Sequence, residues 1–394
     1  MRHGRSVVTL AAVASLSGLL AATLTARPAE AGAVRLDVGP AVARTPLQRA
    51  LNTLVAMPSG PPGVIVIVQH GRSRTVYQAG TASLARPRPL AATDHERLAS
   101  FSKAFNGAVA LSLVSRGKLR LGDTIGRWLP ALPRAWHRVT LRDMLQHRSG
   151  LPDYTSSKAL ARQLQRAPHQ IITPGRLMRY VWHRPLQFPP GSRYEYDNSD
   201  NTVIALMTRV VAGRSYRALL RALVYRPAGL GHTSLPAGSR LPRPYLHGYA
   251  LQPGHPAQDV SEAVSASAAW AAGGLVSTPA DTNRFIRAYL APRFFSRATQ
   301  AAQLRFVPGS SQPAGPGTNA AGLGIFRYRT RCGTMYGHTG NFLGYTQLAA
   351  ASRGGANSVT VTATEQLSRT THPRVLAALR RAELLAVCAA TGRR

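Results

Sequence analysis

Ser100-Phe101-Ser102-Lys103 carries one of only three lysines in a chain with 49 basic residues. Arginine stays protonated at physiological pH, whereas a buried lysine can lose its proton and then take one from a serine. On a helix, residues three apart share a face with their Cβ atoms roughly 5 to 6 Å apart. The spacing therefore sets the Lys103 amine within reach of the Ser100 hydroxyl, as a base beside a nucleophile. Phe101, Ala104, Phe105, Ala108 and Val109 recur at helical spacing. That predicts a largely buried helix which Ser100 opens, its N-terminal amides directed at the serine. Ser115-Arg116-Gly117-Lys118 fits the same pattern, but Gly117 stands where a helix C-cap belongs, so Ser115 and Lys118 straddle a helix end.

Two further stretches extend the reading. Tyr196-Asp197-Asn198 follows the turn Pro190-Gly191-Ser192 and precedes Val203, Ile204, Leu206 and Met207, which predicts a loop entering a helix. His338-Thr339-Gly340 lies within Tyr336-Gly337-His338-Thr339-Gly340-Asn341, just before a strand predicted over Tyr345 to Ala351. Each alone is a weak signal, since Gly231-His232-Thr233 holds a His-Thr pair in an unrelated turn.

In this order the three stretches resemble the motifs of the serine penicillin-recognising enzymes, specifically the secreted D-alanyl-D-alanine carboxypeptidases related to class C β-lactamases and their esterase cousins. The resemblance runs from about Gly63 to Cys388. It includes Met144-Leu145-Gln146-His147-Arg148-Ser149-Gly150-Leu151 and the stretch from Ala272-Gly273-Gly274-Leu275 to Asp281. What it implies is acylation of Ser100, with Lys103 and Tyr196 sharing the proton transfers, either of them as the base. Asn198 would donate to the substrate's amide carbonyl and help to orient Lys103. The backbone N–H groups of Ser100 and Asn341 would hold the oxyanion. Thr339 would meet a terminal carboxylate, joined by Arg327 from the preceding strand, with Gly340 completing the motif. His338 stands where β-lactamases of the group carry lysine, which resembles the carboxypeptidase and esterase branches. Asp197 stands where the family has a small residue, and facing the groove it would repel an anionic substrate terminus.

Periodicity and punctuation predict an α/β architecture. Val64 to Gln69, the turn His70-Gly71-Arg72, and Thr75 to Gln78 read as a hairpin. Helical patterns follow at Lys158 to Gln165, Pro174 to His183 and Ser215 to Tyr225. Strands return at Leu323 to Tyr328, Thr346 to Ala351 and Ser358 to Thr364, before an amphipathic helix from Val375 to Cys388. An antiparallel sheet flanked by helices, built from both chain ends as residues 32–95 and 265–394, would enclose a mostly helical lobe of residues 96–264. The resemblance implies the same arrangement, with the site between lobes. Val307 to Ala320, rich in Pro and Gly, reads as a surface loop and a mobile lip of the groove.

Composition agrees with an exported enzyme. Arg2 and Arg5 precede an apolar stretch from Val7 to Leu24, and Ala29-Glu30-Ala31 follows, the pattern of a signal peptide spanning residues 1–31 and cut after Ala31. The apolar stretch is also long enough to serve as an uncleaved anchor. Cys332 and Cys388 are the only cysteines, an even number that predicts a disulfide tying the last helix to the segment before His338. No metal-ligand spacing is present, and no motif calls for a cofactor.

The net charge of +34 comes from arginines spread along the chain without a nucleic-acid module. An anionic cell wall or membrane surface is the partner such a charge fits, and solubility alone would also account for it. Three readings follow. The first is a DD-peptidase acting on peptidoglycan stem peptides, with β-lactams as covalent inhibitors. The others are an esterase or other amide hydrolase of the same fold, and a non-catalytic cationic wall-binding protein.

Overall fold

The computed structural model describes residues 45–393 apart from residue 253; the predicted signal peptide lies outside the described residues. Eight strands form the main sheet: β1 (Gly63–His70), β2 (Ser73–Gly80), β3 (Val307–Pro308), β4 (Thr318–Ala321), β5 (Phe326–Thr330), β6 (Gly333–Phe342), β7 (Tyr345–Ala351) and β8 (Ser358–Ala363). Their spatial order is β2-β1-β8-β7-β6-β5-β4-β3, and every pairing is antiparallel. The N-terminal hairpin thus adds onto β8, so both ends of the chain build one sheet. The predicted hairpin and the three predicted C-terminal strands are all found, with ends within three residues of those expected.

Both sheet faces are covered, as the near-continuous burial of β1, β7 and β8 requires. On one face pack α1 (Pro46–Ala56) and, at the chain's end, Pro373–Thr391. Leu51, Leu54, Val64, Val66, Leu379 and Ala386 share the core between them. On the other face lies Pro279–Leu290, whose Asn283 Nδ2 donates to Ser358 Oγ at 3.0 Å and Thr360 Oγ1 at 3.1 Å. Cys332 and Cys388 are bonded, so the last helix is tied to the β5–β6 turn.

A second core surrounds α2 (Ser102–Ser115), which is buried from Ser102 to Leu113. Helix α3 (Ser199–Ala212) packs beside it. Phe105 and Phe285 stack within this core with ring centroids 3.7 Å apart, and Phe101 meets both edge-on. The decoy motif behaves as read: α2 ends at Ser115, and Gly117 follows at φ +68. The other predicted helices are present but differ in extent. Pro174–Arg179 is shorter than expected, and Arg221–Tyr225 is a π-helical turn inside the predicted Ser215 to Tyr225 segment. Among the described residues no helix is long and apolar enough to cross a membrane.

Candidate active site

Ser100 does not open the long helix itself. It sits in a 3₁₀ turn, Ala99–Phe101, that leads into α2. Ala99 takes φ +47, a left-handed conformation that costs a non-glycine residue about 1 kcal/mol or more. The turn leaves the Ser100 N–H in the first helical turn, where amides lack an intrahelical acceptor. Opposite it runs β6. A Cβ on Gly340 would stand 2.4 Å from Leu98 O, so only glycine allows the strand this close to the turn.

The register of β6 explains why Asn341 matters. Its pairing with β5 covers Gly333 to Gly337, leaving the edge from His338 onward unpaired. Thr330 and Gly333 close a two-residue hairpin, which makes them a hydrogen-bonded pair and directs the N–H groups of alternate residues, 335, 337, 339 and 341, to that same edge. The Asn341 N–H therefore points out of the open edge of β6, one residue beyond the Gly340 that Leu98 approaches. Its side chain is anchored behind, Nδ2 donating to Leu367 O at 3.0 Å and Oδ1 accepting from Thr346 Oγ1 at 3.0 Å.

Lys103 is fully buried, and its Nζ has three partners: Ser100 Oγ at 3.1 Å, Asn198 Oδ1 at 2.8 Å and Ala272 O at 2.8 Å. Burial lowers its pKa to about 7, against the pull of Asp153, Asp197 and Asp200. Its ammonium lies 4.9 Å from the Tyr196 ring centroid. The Tyr196 hydroxyl is covered and stands by Ser100; burial pushes its pKa up, and the Ser100 hydroxyl offsets part of that rise. Of the two candidate bases, the lysine moves toward neutrality and the tyrosine away from ionisation.

His338 is buried with Nδ1 2.6 Å from Thr339 O. Burial and the nearby Lys103 depress its pKa to about 3. The ring is neutral, its Nδ1–H donates to the carbonyl, and Nε2 remains an acceptor. A cavity of about 10 Å³, the room of a single water, is bounded by Lys103, His147, Asn201, Phe326 and His338. The His147 ring lies 4.5 Å from that of Tyr196, and its Nδ1 is 3.1 Å from Asp200 Oδ2.

Several expectations change here. Asn198 orients Lys103 as expected, but its amide donors do not face a substrate carbonyl: Nδ2 donates to Asp153 Oδ2 at 2.8 Å and Thr155 Oγ1 at 3.3 Å. Asp197 does not face the groove. It is buried against the start of α3, Oδ1 accepting the Ser199 N–H at 2.5 Å, and burial together with Asp200 raises its pKa. Arg327 is not brought to Thr339; it pairs with Tyr336 across the strands and lies 4.9 Å over the Phe306 ring. The side chain that β5 turns to His338 is Phe326, with ring centroids 5.0 Å apart. The Thr339 hydroxyl donates to Pro313 O at 2.8 Å, so the 307–320 segment lies fastened across it, with the edge strand β3 and its neighbour β4 as its two ends. Sequence reasoning missed Ala99, Asp153, Thr155 and the Ala272 carbonyl. Only Ala272 sat in a quoted motif, and a backbone carbonyl leaves no residue-type signal.

The fold and this constellation, a buried lysine beside a serine at the edge of an antiparallel sheet, are of the β-lactamase-like serine hydrolase class. The Beta-lactamase family model matches residues 50–385, and the chain belongs to that family. Over 173 residues it is 28% identical to penicillin-binding protein 4* of Bacillus subtilis, covering 43% of this chain and 37% of that protein. Over 209 residues it is 28% identical to a D-aminopeptidase of Cereibacter sphaeroides, covering 52% of this chain and 38% of that one. The chain thus spans under two fifths of the length of these curated relatives. The solved D-amino acid amidase of Ochrobactrum anthropi SV3 superposes with a TM-score of 0.75 at 25% identity, covering 86% of this chain and 97% of that one.

Proposed function

We propose that the protein is a serine amidohydrolase that carries its substrate as an ester on Ser100. The observation behind this reading is the set of partners around Lys103 Nζ. A neutral amine has two N–H groups and one lone pair. Asn198 Oδ1 and Ala272 O can only accept, so they take the two hydrogens, and the lone pair is left for the Ser100 hydroxyl. Lys103 removes the Ser100 proton as Oγ bonds to the substrate carbonyl carbon, while the N–H groups of Ser100 and Asn341 receive the oxyanion. The C–N bond then breaks as the leaving nitrogen takes a proton through the Tyr196 hydroxyl, which Lys103 replenishes. Water repeats the sequence on the ester and frees Ser100.

The names of the relatives support a scissile carbonyl that belongs to a D-amino acid. A carboxypeptidase acting on D-alanyl-D-alanine stem peptides of peptidoglycan needs a group for the terminal carboxylate. Thr339 is bonded to Pro313 and Arg327 lies on Phe306, while apolar Phe326 stands beside His338. These contacts favour an uncharged leaving group, as in an amide, an aminopeptidase substrate or an ester. The signal-peptide pattern expected over residues 1–31, the disulfide and the charge support an extracellular enzyme held near anionic wall polymers.

A fluorescent penicillin tests the chemistry: mass spectrometry should find one adduct, on the peptide containing Ser100, absent in Ser100→Ala. No adduct on Ser100 refutes the reading. Rates on D-alanine amide, a D-Ala-D-Ala peptide and a p-nitrophenyl ester then order the substrates, the amide or the ester exceeding the peptide.

A further inference from the structure

Asp153 lies at the start of a 3₁₀ turn, Tyr154–Ser156, and is half-buried beside Asn198. Its carboxylate receives four hydrogens. Oδ1 accepts the Thr155 N–H at 2.8 Å and the Thr155 hydroxyl at 2.8 Å. Oδ2 accepts the Asn198 backbone N–H at 3.3 Å and its Nδ2 at 2.8 Å. A carboxylate offers about four lone-pair sites, so all are filled. Asp153 therefore has no free acceptor for a substrate amine or a catalytic water. Basic residues outnumber acidic ones 49 to 15, yet among the described residues no arginine or lysine forms an ion pair with Asp153.

We propose that Asp153 is a positioning residue that fixes which way the Asn198 amide faces and so keeps the Lys103 lone pair aimed at Ser100. This rests on the serine–lysine chemistry proposed above. Reversing the amide would set its oxygen against the Asp153 carboxylate and its NH₂ against the Lys103 N–H groups, two repulsions in place of two hydrogen bonds. Thr155 reinforces the choice, since its hydroxyl donates to Asp153 and also accepts from Asn198 Nδ2 at 3.3 Å. With the amide held, Asn198 Oδ1 occupies one Lys103 N–H and Ala272 O the other. The remaining groups that face Lys103 are the carboxyls of Asp197 and Asp200, the neutral rings of His147 and His338, and Tyr196.

The test is the acylation rate of Ser100 by a fluorescent penicillin, measured from pH 5 to 9 in the full chain, with thermal unfolding alongside. Asp153→Asn keeps the shape but sets a donor against the donors of either Thr155 or Asn198 and removes the negative charge. The rate should fall about 10²-fold, the scale of a misplaced reacting group. The acid limb should move down by on the order of one pH unit, because an anion that raised the lysine pKa is gone. The exchange Asp153→Asn with Asn198→Asp puts the carboxylate directly on Lys103 and should move the limb upward instead. A residue that only supported the fold would lower the amount of active protein without moving either limb. Should Asp153→Asn fail to fold, Thr155→Val removes one bond from each partner and keeps the charge; it should slow acylation about tenfold with the limb unmoved. A rate within about twofold there, or Asp153→Asn with an unmoved limb and a rate within about fivefold of wild type, overturns the positioning role. Wild-type protein that is not acylated at Ser100 would instead refute the underlying serine–lysine reading.

Discussion

Replacing Lys103 with arginine separates a base from a mere positive charge. Burial holds Lys103 at about 7, so at neutral pH roughly half of the molecules carry the free amine that can accept the Ser100 proton. An arginine with a pKa above about 12 presents its neutral form in roughly one molecule in 10⁵ or fewer. The loss of rate stops short of that ratio, because water or Tyr196 can accept a proton slowly. General-base removal of this kind costs about 10² to 10⁴. Wild-type acylation should rise about tenfold per pH unit below 7 and level off above it. Lys103→Arg should show the slow rate with no limb near neutrality. The assay is stopped-flow acylation by a fluorescent penicillin across pH 5 to 9, on protein whose unfolding midpoint matches wild type. A mutant within about fivefold of wild type, or one that keeps the limb, would refute a catalytic lysine.

Glu96 is fully buried, and burial raises its pKa to about 8, so it stays protonated in the fold while the unfolded chain ionises it near 4.5. Its contribution to stability is full below about 4.5 and is lost as pH rises through about 8; Glu96→Gln should flatten that loss, by roughly 2 to 4 kcal/mol at pH 8 in chemical unfolding, and equal slopes in the two proteins would contradict it. Breaking the Cys332–Cys388 bond with paired serines opens a loop with a sequence separation of 56. The expected cost is about 4 kcal/mol by chain entropy, and a loss under about 1 kcal/mol would show the bond to be dispensable. Arg327→Ala should change turnover of a small amide by less than about threefold, since a group remote from the reacting atoms removes no transition-state binding. A large rise in KM for a carboxylate-terminated peptide alone would restore Arg327 to the substrate site.

The candidate site was legible in the sequence wherever it depended on residue type and local spacing. Ser100 and Lys103 meet because three residues along one helical face bring them together, and that needs no knowledge of the rest of the chain. The hairpin and the C-terminal strands were legible through runs of β-branched residues. What was not legible was direction. Arg327 and Phe326 are neighbours on one strand, and alternation sends one to Phe306 and the other to His338. Reading which is which requires the register with β6, a long-range fact. The 3₁₀ turn at Ala99 was likewise hidden, because a left-handed alanine follows from packing and no local propensity announces it.

Asp197 shows the same limit acting on charge. From sequence it was a carboxylate at a motif position where a small residue is usual, and its effect depended on whether it met the substrate. In the fold it accepts the Ser199 N–H at the start of α3, and its electrostatic influence falls on Lys103 and Tyr196. Burial alone would lower that lysine further, and a lower pKa frees the amine at the cost of its strength as a base toward serine. Asp153, Asp197 and Asp200 act against burial, and the balance stands at about 7. A general base works best when its pKa lies near the working pH. In a chain this rich in arginine, these three carboxyls therefore do what no basic residue nearby can: they keep the one lysine of the site basic enough to act and still able to lose its proton.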